Sequence, residues 1–171
     1  MKKLLLILCV SLFTMSACNK EGDSPNDSST AGWKLGGTDF SQVLFRKVPS
    51  GVFVAYQVWD KIPTSAESAA NSNTFVALNG VSVLFKSAPT ASGKYKIVVT
   101  PDPSTLNADE MMISVEDKTR NKRYASTATT VLADVTVNGW KLTIKVPTTK
   151  VLQQGLLGGE TLDFSCTLVE Q

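Results

Sequence analysis

Residues 131–146 constrain this chain more than any other segment. Two runs of apolar–polar alternation flank Asn138-Gly139. Val131, Ala133, Val135 and Val137 fall on one side of an extended chain, with Asp134 and Thr136 on the other. Beyond the dipeptide, Leu142, Ile144 and Val146 alternate with Lys141, Thr143 and Lys145 in the same way. A period of two does not suit an amphipathic helix, and Asn-Gly supplies the positive φ angles of a tight turn. The segment therefore predicts a β-hairpin whose two-residue loop is Asn138-Gly139. Val137 then faces Trp140 on the core side.

The same period recurs along the chain. Val81, Val83 and Phe85 show it, as do Tyr95, Ile97 and Val99, then Met111, Ile113 and Val115, and finally Leu162, Phe164, Cys166 and Leu168. A second dipeptide, Asn79-Gly80, predicts a turn that folds residues 75–78 back onto the following strand. Segments 33–36, 39–47 and 52–59 complete the set. No stretch carries a long helical period, and residues 65–70 suffice for one helical turn. About nine or ten short strands over residues 32–171 predict an all-β domain, an antiparallel β-sandwich, with a closed β-barrel as the alternative. Pro63, Pro89, Pro101, Pro103 and Pro147 are assigned to connections, where a missing N–H does no harm.

The N-terminus reads as a targeting segment. Lys2 and Lys3 precede an apolar run over residues 4–13, and Ser16 and Ala17 lead into Cys18. The run is too short to cross about 30 Å of hydrocarbon. Met15-Ser16-Ala17-Cys18 resembles the lipobox of bacterial lipoproteins. That resemblance implies cleavage before Cys18 and a diacylglycerol on its sulfur. The resulting division is a signal peptide at 1–17, a lipidated Cys and disordered tether at 18–31, and a β domain at 32–171. As a coil, residues 19–31 span about 20 Å.

Removing Lys2 and Lys3 from the 17 basic residues leaves 15, against 15 acidic ones. A neutral domain has no electrostatic attraction to nucleic acid or an anionic bilayer, so the membrane is met through acyl chains on Cys18. With lipobox, polar tether and one β domain, the chain resembles the small lipoproteins of Gram-negative outer membranes. Lys20-Glu21 and Asp23 loosely resemble a surface-sorting signal, and Asn19 is compatible with outer-membrane sorting. The expected location is the outer membrane, with surface exposure favoured over the periplasm.

The sequence contains no His, which removes His-dependent triads, Cys–His dyads and His-ligated metals from consideration. Of the three Cys, Cys9 lies in the signal peptide and Cys18 at the cleavage site, which leaves Cys166 as an inert core thiol with no disulfide partner. No Ser-x-x-Lys stands on a helix. Asp109-Glu110 and Glu116-Asp117 split to opposite faces of a strand. Asp102, Asn107, Asp109 and Glu110 lack the spacing of an EF-hand loop. The run from Glu116 to Arg123 mixes both signs and reads as a hairpin tip. The sequence thus predicts a non-enzymatic protein without cofactor or metal.

Binding is expected from residues 52–59, where both strand faces are apolar. Val52, Val54, Tyr56 and Val58 share one face, and Phe53, Ala55 and Trp59 the other. Either the strand is covered on both sides, or one face is an aromatic platform in which Phe53, Tyr56 and Trp59 meet a ligand. Trp33 is placed as a plug at one end of the sheet. Residues 60–74 and 101–109 form long loops of the kind that carry binding. The leading expectation is a lipid-anchored binding or structural module whose ligand is a glycan or a protein. A small apolar-ligand barrel similar to lipocalins is an alternative, although Gly32-Trp33 are adjacent where that family has Gly-x-Trp. Another is an inhibitor that presents loop 60–74 to a hydrolase.

Overall fold

A computed structural model describes residues 30–69, 77–155 and 159–171. The expected signal peptide, Cys18 and nearly all of the tether lie outside the described residues. The domain is all-β. Its strands are β1 (Gly32–Leu35), β2 (Thr38–Ser41), β3 (Leu44–Pro49), β4 (Val54–Trp59), β5 (Gly80–Phe85), β6 (Gly93–Ile97), β7 (Glu110–Asp117), β8 (Lys122–Ser126), β9 (Leu132–Asn138), β10 (Lys141–Gln153) and β11 (Thr161–Val169). A one-turn helix α1 (Ser65–Ala69) follows β4, and a 3₁₀ turn (Pro103–Thr105) precedes β7.

The strands make one sheet in the order β2-β1-β11-β10-β9-β6-β7-β5-β4-β3, with β8 pairing both β10 and β7. That double pairing closes a ring of five strands, β6-β7-β8-β10-β9. Two wings extend from it, β5-β4-β3 from β7 and β11-β1-β2 from β10. The barrel alternative therefore describes the centre, and the wings are its outer strands. All pairs but one are antiparallel; β6 and β7 run parallel through Lys96–Ile97 and Glu110–Met111.

The ring forms because β7 and β10 have more edge than one neighbour covers. One edge of β7 pairs with β5 along its length. The other is shared between β6 at Glu110–Met111 and β8 at Ser114–Asp117. In the gap, the Ser126 hydroxyl accepts from Ile113 N–H at 3.1 Å and donates to Val98 C=O at 2.8 Å. A side chain thus supplies the pairing that neither strand reaches.

The wings share one core. Tyr56, Val58, Val83 and Phe85 from one wing and Leu35, Phe164, Cys166 and Leu168 from the other join Met111, Ile113, Val135, Ile144 and Val151 of the ring in a single buried cluster. Phe45, Tyr56, Phe85 and Tyr95 form a chain of tilted and edge-on ring contacts with centroids 5.1–5.8 Å apart. Trp33 is buried in β1 and stacks on Phe40 at 5.2 Å, within the wing rather than at its end. Cys166 faces the core as expected, and burial pushes its thiol up to about 12. The two outermost strands are joined directly through Gln42-Val43. Gln42 N–H donates to Ala31, its side chain bonds both backbone groups of Val169, and Val43 N–H donates to Trp59 C=O.

The structure corrects several details of the sequence reading. The β9–β10 loop is Gly139-Trp140, because Asn138 pairs with Lys141 and Val137 with Leu142. Gly139 alone takes a positive φ, 63°, the pattern of a turn with Gly at its first central position. Trp140 is consequently 74% exposed and leaves the core face. Pro147 lies inside β10, not in a connection; it sits with Thr148 at a bulge between Val146 and Thr149, where Ser165 alone stands opposite. Ala77 and Leu78 form no strand and Gly80 opens β5, so Asn79-Gly80 is not a hairpin loop. Val99 lies beyond β6 and is 58% exposed.

Replacing Ser126 by Ala removes both hydrogen bonds at the closure and leaves a buried donor and acceptor without partners. The expected loss is about 1–3 kcal/mol of unfolding free energy. Urea denaturation checks it as a lower midpoint at unchanged slope.

Candidate functional site

β4 is covered on both sides, which explains its two apolar faces. Tyr56 and Val58 point into the main core, while Ala55, Gln57 and Trp59 point outward. One end of that outer face is roofed by the segment before β7. Leu106 packs on Ala55 and Leu84, with Val48, Phe53, Val98 and Met112 around them. Asp102 holds the roof in shape by accepting from Ser104 N–H at 2.8 Å.

At the other end the outer face opens into a cavity of about 210 Å³. Leu44, Arg46, Gln57, Trp59, Ser82 and Glu116 line it from β3, β4, β5 and β7, and the β4–β5 connection adds Pro63, Glu67, Ala77 and Leu78. Trp59 lies opposite Gly80, and a Cβ at Gly80 would come within 2.8 Å of Trp59 Cδ1. The missing side chain lets the indole lie against β5, so the ring is held as one wall. Glu116 pairs with Arg123 at 3.3 Å. Arg46 and Gln57 face each other across β3 and β4 and engage no other side chain among the described residues.

The connection is braced by its own polar groups. Thr64 and Glu67 form a reciprocal cap: Thr64 Oγ1 accepts from Glu67 N–H, and the Glu67 carboxylate accepts from Thr64 N–H at 3.1 Å. Lys61 and Lys118 also pair with Glu67. Hydrogen bonds from Lys61 and the Thr64 backbone lower the Glu67 carboxyl to about 2, so it is ionised at neutral pH. Asn79 donates to Asp60 and accepts from Lys118 N–H, tying the connection to the β7–β8 turn.

The three expected binding residues do not meet. Tyr56 is 2% exposed in the main core, and burial, with Glu170 nearby, raises its phenol to about 12. Phe53 packs beneath Leu106 at the roofed end. Only Trp59 reaches a cavity. Strand parity separates Tyr56 from the other two, and the length of β4 separates Phe53 from Trp59. Cys18 lies outside the described residues. Of loop 60–74, residues 70–74 also lie outside them; Pro63 and Glu67 line the cavity. Arg46, Gln57 and Glu67 were not picked out from the sequence, and Glu116 was weighed there only as one of a carboxylate pair and as part of a charged hairpin tip. The Thr64-x-x-Glu67 spacing was a legible sign that this connection starts a helix.

The acidic residues weighed for calcium serve local pairs. Asp109 bonds Lys96 at 2.9 Å, Glu110 caps Asn107 N–H, and Asp102 caps the 3₁₀ turn. A second, larger concavity of about 580 Å³ lies at the β10 bulge, between Lys34, Asp39, Ser41, Lys145, Ser165 and Thr167. Pro147 inside an alternating run was its only sign in the sequence.

The chain matches no protein-family model, no curated protein and no solved structure, so the site is read from its geometry alone. That geometry makes the α1 cap pH-dependent. The Glu67 carboxyl is lowered in the folded protein from 4.5 to about 2. Its contribution is complete above the unfolded value and is lost as pH falls through the folded one. The expected outcome is a stability difference between the wild type and Glu67→Gln that holds at neutral pH and shrinks from about pH 4.5 downward. Parallel urea titrations across that range measure it.

Proposed function

We propose that this protein is a lipid-anchored, non-enzymatic binding module of the cell envelope. It takes one sugar ring of a glycan in the Trp59 cavity. The observation that carries the reading is Trp59 set against Gly80 in one cavity with Arg46 and Gln57, which engage no other side chain among the described residues. A pyranose presents an apolar C–H face and a rim of hydroxyls. An indole face suits the first, and fixed donors and acceptors suit the second. The volume of about 210 Å³ falls below the ~300–1,000 Å³ of drug-sized sites, which fits a single ring.

Two features narrow the alternatives. Glu67 is held ionised, the reverse of what a general acid needs. The strand interior is filled by the core, which favours this surface cavity over the apolar-ligand barrel. Anchoring rests on the lipobox Met15-Ser16-Ala17-Cys18 and the polar residues after it. Asn19 is compatible with outer-membrane sorting, and the early Lys20-Glu21 and Asp23 favour the cell surface.

Thermal melting of the protein against bacterial and host glycans tests the binding. A sugar at a hundred times its dissociation constant adds about 2.7 kcal/mol. Trp59→Ala is expected to abolish that shift, and Arg46→Ala to weaken it. Trp140→Phe, outside the cavity lining, leaves it unchanged. A panel without any shift overturns the glycan reading. Mass spectrometry of the N-terminal peptide is expected to show a diacylglyceryl group on Cys18, absent from Cys18→Ser.

A further inference from the structure

We infer that the β9–β10 turn, Gly139-Trp140 with Lys141, is a second and direct contact with the bilayer surface. The inference rests on the anchoring reading above for which membrane is met, but its observations are separate. Trp140 is 74% exposed, more than any other large apolar side chain among the described residues. The turn itself asks only for Gly139, whose φ is positive. Nothing in the fold uses the indole at the next position. Lys141 Nζ stands 5.0 Å from the ring centroid. An indole with an ammonium group beside it is the pair that settles at the headgroup level, apolar ring inward and charge in the wet layer.

The path of the chain points to the same end. β1 runs antiparallel to β11, with Gly32 opposite Thr167. Residues before Gly32 therefore pass toward Val169, as the Ala31–Gln42–Val169 hydrogen bonds show. Val169 is paired with Thr143, and Glu170 binds Leu142, at the start of β10. The chain thus leaves the domain toward the end that carries Trp140. Thirteen residues separate Cys18 from Gly32, which limits that distance to about 45–50 Å even when fully extended. A domain so tethered offers this turn to the lipid surface. Because the mature charge balances, the contact is interfacial rather than electrostatic.

The test uses the full protein reconstituted in phosphatidylethanolamine–phosphatidylglycerol vesicles containing a brominated lipid, a contact quencher of indole. Trp140→Phe keeps a ring at the turn but silences its fluorescence, leaving Trp33 and Trp59. The expected result is strong quenching of the wild type with a blue-shifted emission, and loss of most of that quenching in Trp140→Phe. Equal quenching of both proteins, or none in either, overturns the inference. Mass spectrometry of the same samples keeps the two readings apart. Quenching of Trp140 without a lipid on Cys18 sustains the contact and removes the anchor. A lipidated Cys18 with an unquenched Trp140 sustains the anchor and removes the contact. A Trp140→Phe melting temperature equal to wild type shows that the fold is intact.

Discussion

Backbone groups removed from water have to find partners, and in this fold β7 and β10 set the terms. β10 is thirteen residues long, and β11 occupies only one of its edges. The other is divided between β9 at its start and β8 at its end. β7 divides its second edge in the same way, between β6 and β8. One short strand, β8, therefore fixes how two wings stand relative to each other, and Ser126 completes the pairing where the strands part. Without β8 the strands would still run as one sheet through β10-β9-β6-β7, but the parts of β7 and β10 that β8 covers would be left as open edges. With it, only β2 and β3 remain outermost. β2 has four residues, while β3 carries Lys47 opposite the buried Tyr56 and ends in Pro49, features that discourage edge-to-edge association.

Alternation showed which residues face inward almost everywhere, because one buried face leaves a period-two trace. Val81, Val83 and Phe85, or Phe164, Cys166 and Leu168, lie where the pattern puts them. It could not choose between registers two residues apart, since such a shift preserves every face. The β9–β10 hairpin is that case. With Gly139-Trp140 as the loop, Asp134 comes opposite Lys145 and Thr136 opposite Thr143. With Asn138-Gly139 as the loop, Asp134 would face Thr143 and keep only Lys94 of β6, which it bonds at 2.7 Å, as a charged neighbour across a strand pair. Cross-strand pairing of this kind contributes about 0.2–1 kcal/mol per pair, enough to separate registers of equal burial. The ring closure was not legible at all, because a hydroxyl bridging Ile113 and Val98 leaves no periodic trace.

The candidate site was half legible for a related reason. The two apolar faces of β4 raised a choice between burial and exposure, and the structure realises burial with one opening. Tyr56 is spent on the core, Phe53 lies under the segment before β7, and Trp59 borders space. What distinguishes Trp59 is a residue without a side chain on the next strand, Gly80, and two polar residues on neighbouring outward positions. Each is unremarked in its own strand. They acquire meaning only through the registers Trp59–Gly80 and Arg46–Gln57, which are tertiary facts.

The same registers link the cavity to the β9–β10 turn. Glu116, at the cavity, lies at the C-terminal end of β7, and β6 continues from the N-terminal end of β7 away from it. From Glu116 back to Glu110, then from Lys96 back to Gly93, the path covers roughly 30 Å at 3.3 Å per residue. Gly93 stands opposite Val135, and Ser92 bonds Val137, just before the Gly139-Trp140 turn. A shorter route crosses the wings: Trp59 C=O accepts from Val43 N–H, the neighbouring Gln42 bonds both backbone groups of Val169, and Val169 pairs with Thr143 near the start of β10. The cavity and the Gly139-Trp140 turn are therefore joined twice, through the ring and across the wings. Their relative position depends on strand pairing rather than on the segment before Gly32, because each junction is a backbone ladder or a side chain bonded to one.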